Sequence, residues 1–173
     1  VSDTPARPAW FARREISPFV LEDAEVDEIL RKATHAVVSW VTRDSKPVSA
    51  VVVYVLVDGV ITITSTTNRA KYHAWRRNPA ASFCIWDPEN IGRQVTLRGH
   101  VEIMQSAELL SRFTEIFLTQ RIGGPPSPER LAAEIAKFDA PDRHMMQLHV
   151  EKVLTHDLTR LFKAERDGTD VWS

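Results

Sequence analysis

The chain is predicted to be mainly β, of the α+β class: an antiparallel β-barrel of six or seven strands with flanking helices that enter late. Three observations carry this prediction. Apolar stretches rich in β-branched residues recur between turn clusters, as in Val48–Val57 and Val60–Ser65. Asp58-Gly59, which joins those two stretches, is a strong two-residue hairpin signal. No strand–helix–strand alternation opens the chain, which argues against a doubly wound parallel sheet.

Taken in order, residues 1–20 hold Pro5, Pro8 and Pro18 with mixed charge and read as an arm anchored by Trp10 and Phe11. The rest, 21–173, reads as a single domain. Leu21–Ala33 spaces Val26, Ile29 and Leu30 as one helical face, with acids early and Arg31-Lys32 late, complementing the helix dipole. His35–Thr42 is a strand, Arg43–Pro47 a turn, Val48–Val57 a long second strand and Val60–Ser65 its return. Thr66, Thr67 and Asn68 are N-cap candidates for a short helix over Arg69–Arg77, which Asn78-Pro79 ends. Ala81–Trp86 and Arg93–Met104 are further strands, the latter with a bulge expected at Gly99. Ser106 caps a helix to about Thr119, and Gly123-Gly124-Pro125-Pro126 breaks it. Ser127-Pro128 then opens another helix, so 106–140 is a helical insertion. Met145–Leu154 is a sixth strand and Leu158–Lys163 a candidate seventh.

Composition bounds the function classes. The 173 residues carry 22 basic and 23 acidic side chains, a formal net charge of −1, which argues against a dedicated duplex nucleic-acid binder. No apolar run reaches the roughly 18 residues of a membrane span. Val1–Arg14 has no apolar stretch to mark a secretory signal, so a cytoplasmic protein is expected. The single cysteine, Cys84, excludes an internal disulfide, and its place between Phe83 and Ile85 suggests a small core residue. His144 and His149, five apart with no third ligand near them in sequence, make a poor metal site. Nucleophile-elbow, Walker and Rossmann patterns are absent from the sequence.

The densest chemistry lies in Thr64-Ser65-Thr66-Thr67-Asn68-Arg69-Ala70-Lys71. A strand ending in hydroxyls meets a helix start with two cations in its first turn. Hydroxyls, free helix N–H groups and positive charge together suit a phosphate. Cations at a helix N-terminus run against the dipole, and a bound anion would resolve that conflict. The residues alone leave two readings open, an anion site or a capped helix with solvated basic residues. His73, one turn from Arg69, is placed to approach such an anion. On the strand after Arg93, Gln94, Thr96 and Arg98 share the face opposite Val95 and Leu97, as either a ligand-facing or a solvent face.

Together, Pro47–Tyr54, Thr62–Pro79 with its N-R-A-K and W-R-R-N-P runs, and the R-Q-V-x-x-x-G-x-V-E pattern of Arg93–Glu102 resemble the split β-barrel flavoproteins related to pyridoxamine 5′-phosphate oxidase. The similarity is greatest to the branch that uses the deazaflavin coenzyme F420. It covers about Val26–Met104. The resemblance implies a homodimer with a cofactor at each subunit interface. Arg69 and Lys71 would hold the cofactor phosphate, with Thr64 assisting. The backbone of Ala50, Val51, Val52 and Val53 would run along the ring system, and Gln94 would reach in from the partner subunit.

Departures narrow the activity. Ala70 separates the two cations, as in the deazaflavin branch, and Ala50–Val55 lacks the oxidase's basic side chain. Leu161–Glu165 offers no match to its arginine–histidine substrate clamp, so oxidation of pyridoxamine phosphate is not expected. The resemblance implies an oxidoreductase that transfers hydride between coenzyme F420 and a small or polycyclic conjugated substrate. The alternatives are an FMN-dependent oxidoreductase or flavin reductase, and a non-catalytic cofactor carrier or sensor. The glutamate tail of F420 would favour a basic channel beyond the phosphate, for which Arg76, Arg77 and Arg93 are candidates.

Overall fold

The computed structural model describes residues 13, 14 and 16–171, and the expected Trp10-Phe11 anchor lies outside them. The elements are α1 (Asp23–Lys32), β1 (His35–Val41), β2 (Pro47–Val53), β3 (Val55–Val57), β4 (Val60–Thr66), α2 (Ala70–Arg77) and β5 (Ala80–Asp87). They continue with β6 (Asn90–Met104), α3 (Ala107–Ile122), α4 (Pro128–Phe138), β7 (Arg143–Asp157) and α5 (Leu158–Arg166). Among the described residues no helix is long and apolar enough to cross a membrane.

The seven strands form one sheet in the order β2-β1-β5-β6-β7-β4-β3, and its ladders are antiparallel. β2 and β3 are its two edges, yet Tyr54 alone connects them. One residue spans less than about 4 Å, so the sheet must curl until its edges meet end to end. This corrects the expectation of one strand over Val48–Val57. Tyr54 leaves the β1–β2 ladder, donates its N–H to Thr34 O and turns a fully buried side chain to the core. There its hydroxyl donates to Leu30 O at 2.8 Å, and burial pushes its pKa up.

Leu158–Lys163 is the start of a helix, α5, and not a strand. The Asp157 carboxylate accepts from the N–H groups of Thr159 and Arg160 at 2.9 and 3.1 Å, a side-chain cap that turns the chain into a helix. The bulge at Gly99 is present: the β6–β7 register shifts between Arg98 and Gly99. A Cβ on Gly99 would sit 1.9 Å from His149 O, so only glycine lets the two backbones approach.

Alternation along the strands sorts the two faces of the sheet. Ala36 and Val38 of β1, Phe83 and Ile85 of β5, and Val95 and Leu97 of β6 are buried in the barrel core, which α1 plugs with Ile29. A second cluster packs β3 (Val55, Val57) and Met145 under Leu110 and Phe113 of α3. The β3–β4 turn has positive φ at Asp58 (51°) and Gly59 (79°), the hairpin geometry its sequence predicts. Both guanidinium nitrogens of Arg112 grip the Asp58 carboxylate, fastening α3 to that hairpin.

Candidate functional site

β4 and α2 meet at the candidate site. β4 ends at Thr66, and α2 starts after Arg69, its N-cap, with no side-chain cap. Two of the three expected capping side chains engage each other, with Thr66 Oγ1 donating to Asn68 Oδ1 at 2.6 Å. The first-turn N–H groups of α2 therefore have no side-chain acceptor, although its sequence offers several.

Beside this helix start lies a cavity of about 500 Å³. Thr64, Ser65 and Thr66 of β4 form one wall and Arg69, Ala70 and Lys71 another. Trp40 of β1, Ala50 of β2 and Arg143 of β7 complete it. Of the residues singled out from sequence, Ala50, Thr64, Arg69 and Lys71 are thus brought together. Lys71 is half-buried, and loss of hydration, with the Arg69 charge beside it, lowers its pKa below 10.5. Neither cation forms an ion pair among the described residues.

Arg143 is the residue that sequence reading missed. Its Nη1 donates to Thr64 Oγ1 at 3.3 Å, its guanidinium lies over the Phe138 ring at 4.9 Å, and its Nε is buried without a partner. Only the β4–β7 register, which sets Thr66 opposite Arg143, brings it here. A half-buried ammonium and two guanidinium groups beside an uncapped helix start form a cradle with the charge and donors that an oxyanion requires, while the Thr64, Ser65 and Thr66 hydroxyls already donate within the chain. These residues fit a phosphate monoester.

Val51, Val52 and Val53 do not line this cavity, but they continue along β2, whose outer edge pairs with none of the seven strands among the described residues. Gln94 is elsewhere. It stands on β6 between Trp86 and His156, with Nε2 donating to Ile91 O at 2.9 Å. Its neighbours belong to the outward face, where Val51, Val37, Cys84, Thr96 and Leu154 lie opposite one another across five strands. Val51 is 62% and Leu154 39% exposed. This corrects the expectation that Cys84 is a core residue: alternation sends Phe83 and Ile85 inward and Cys84 out to this row.

The basic residues beyond the cradle divide. Arg93 is unavailable as a tail-binding group: it bonds Asp87 at 2.8 Å and Glu25 at 3.2 Å, with Asp157 at 3.9 Å. Arg76 and Arg77 do remain at the surface, where they line a shallow basic depression with Arg43 and His73. Arg77 donates to Val41 O, and Arg76 lies over the Tyr72 ring.

A curled seven-stranded antiparallel sheet with five flanking helices places the fold in the split-barrel class. The chain belongs to the pyridoxamine 5′-phosphate oxidase family, whose model matches residues 22–157. It is similar to the conserved hypothetical protein Rv2991 from Mycobacterium tuberculosis, at TM-score 0.74 and 20% identity, over 87% of this chain and 93% of that one. An F420 reductase superposes at TM-score 0.54 with 25% identity, over 74% and 94% of the two chains. An FMN-binding protein from Nostoc punctiforme superposes at TM-score 0.59 with 14% identity, over 79% and 84%. Comparison with curated proteins finds no match.

Proposed function

We propose that the protein is an oxidoreductase that uses coenzyme F420 to transfer hydride to or from a small conjugated molecule. The carrying observation is the cradle of Arg69, Lys71 and Arg143, cations that among the described residues have no carboxylate partner, beside β2, an edge strand of the sheet. Arg69, Lys71 and Arg143 would hold the phosphate, with Thr64 positioning Arg143 by accepting from its Nη1 while donating its own hydroxyl to His144 O. The free backbone groups of Ala50–Val53 would meet the edge of the ring system. Such a cofactor supplies the hydride chemistry when bound, and the chain's task is to bind, orient and exclude water.

Two observations favour the deazaflavin over FMN. Arg76 and Arg77 at the far end of α2, with Arg43, add positive charge beyond the cradle residues, which suits a tail bearing carboxylates. The F420 reductase is also more similar in sequence than the FMN-binding protein, at 25% against 14% identity. The outward row from Val51 to Leu154 suits a second copy of the chain, which would bring its Gln94 toward the cofactor. The test is titration of the purified protein with F420 and with FMN, followed by fluorescence quenching. F420 is expected to bind more tightly. Tight binding of FMN alone reassigns the cofactor, and binding of neither overturns the reading.

A further inference from the structure

α3 presents Phe117, Gln120 and Arg121 at i, i+3, i+4 spacing, which places them on one helical face. With Thr34 and His35 at the start of β1 and Val53 at the end of β2, they line a second cavity of about 240 Å³. Ala50 in the wall of the cradle and Val53 in the wall of this cavity are three strand residues apart, about 10 Å. Their odd spacing puts them on opposite faces, so the unpaired edge of β2 runs between the two cavities.

We propose that this second cavity binds the electron acceptor, a conjugated molecule of one or two rings carrying a single carboxylate or comparable anionic group. This rests on the reading above that a ring cofactor lies along β2. Val53 and Phe117 give the cavity apolar surface suited to a flat conjugated body. Arg121 makes no ion pair within 4 Å among the described residues, although its charge is near enough to help lower the pKa of Glu134, and its planar fork matches a carboxylate. The adjacent Gln120 amide can add a neutral hydrogen bond. Thr34 Oγ1 and His35 Nδ1 hydrogen-bond each other at 2.8 Å on the wall of the cavity. The volume lies below the roughly 300–1,000 Å³ of drug-sized pockets, which suits a body of one or two rings. α3 is held rigidly by the Ser106 cap at one end, the left-handed Gly123 at the other and the Arg112–Asp58 grip between them.

The probe is naphthalene-2-carboxylate, titrated calorimetrically into the wild type, Arg121→Gln, Phe117→Ala and the Arg69→Ala/Lys71→Ala double variant, each checked for folding by circular dichroism. Wild type is expected to bind it, with Arg121→Gln weakening binding about tenfold or more and Phe117→Ala also weakening it. The double variant should bind the probe as wild type does while losing the phosphate-bearing cofactor. No binding by wild type, or wild-type affinity in folded Arg121→Gln and Phe117→Ala, overturns the proposal. If the probe binds through Arg121 but neither F420 nor FMN binds wild type, the anion cavity stands and its assignment to an electron acceptor falls.

Discussion

The Arg143 guanidinium donates to the Thr64 hydroxyl across 79 residues of sequence and stacks on Phe138 at the end of α4. One side chain therefore ties the helical insertion to the wall of the cradle. Its Nε is buried with no hydrogen-bond partner among the described residues.

Arg143→Ala should weaken FMN or F420 binding by about 1.5–3 kcal/mol, the loss of one charge-assisted contact. Arg69→Ala and Lys71→Ala should each lose a similar amount. Fluorescence titration of folded variants measures this, and unchanged affinity for Arg143→Ala removes it from the site.

Lys71 predicts a pH dependence. Desolvation, then the Arg69 charge, holds its pKa below 10.5. Between that lowered value and 10.5 the unfolded chain binds more protons than the folded one. Stability of the ligand-free protein therefore gains a contribution from this group as pH rises through that window. Phosphate affinity runs the opposite way, falling as the ammonium is neutralised. Lys71→Arg, charged throughout, should flatten that fall. Titrations between neutral pH and 10.5 that show the same slope in both proteins would argue against Lys71 as a phosphate ligand.

Gly99→Ala should destabilise the fold by about 1–3 kcal/mol or more. The added Cβ meets the His149 carbonyl, and backbone in a paired strand cannot swing aside as a side-chain end can. Thermal denaturation reads this as a fall of about 2–4 °C per kcal/mol.

Val51→Asp and Leu154→Asp stand at opposite ends of the outward row. If a second copy packs there, light scattering should show a dimer for the wild type and a lower mass for each folded variant. A wild type that is monomeric at micromolar concentration contradicts the interfacial site.

Much of the fold was legible because local rules agreed with the final structure. Asp58-Gly59 set a hairpin, Ser106 and Ser127 capped their helices, and Gly99 marked a bulge. The errors came where a distant partner decided. Val48–Val57 is uniformly strand-forming, and nothing local says that Tyr54 should leave one ladder for the other edge. Leu158–Lys163 has strand-like composition, but Asp157 caps it into a helix whose Leu161 is buried. Arg93 read as a free cation until the fold gathered Asp87, Glu25 and Asp157 around it.

The sequence by itself determined the antiparallel β class, the hydroxyl-to-cation junction at Thr64–Lys71 and the family resemblance. Each depends on alternation, turn chemistry or spacing within one segment. Only the tertiary structure decided that Arg143 joins the cradle, that the outer edge of β2 is left unpaired and that Val53 shares a cavity with Arg121. Those relationships are created by strand order and sheet curvature, which place residues far apart in sequence at the same few ångströms of space.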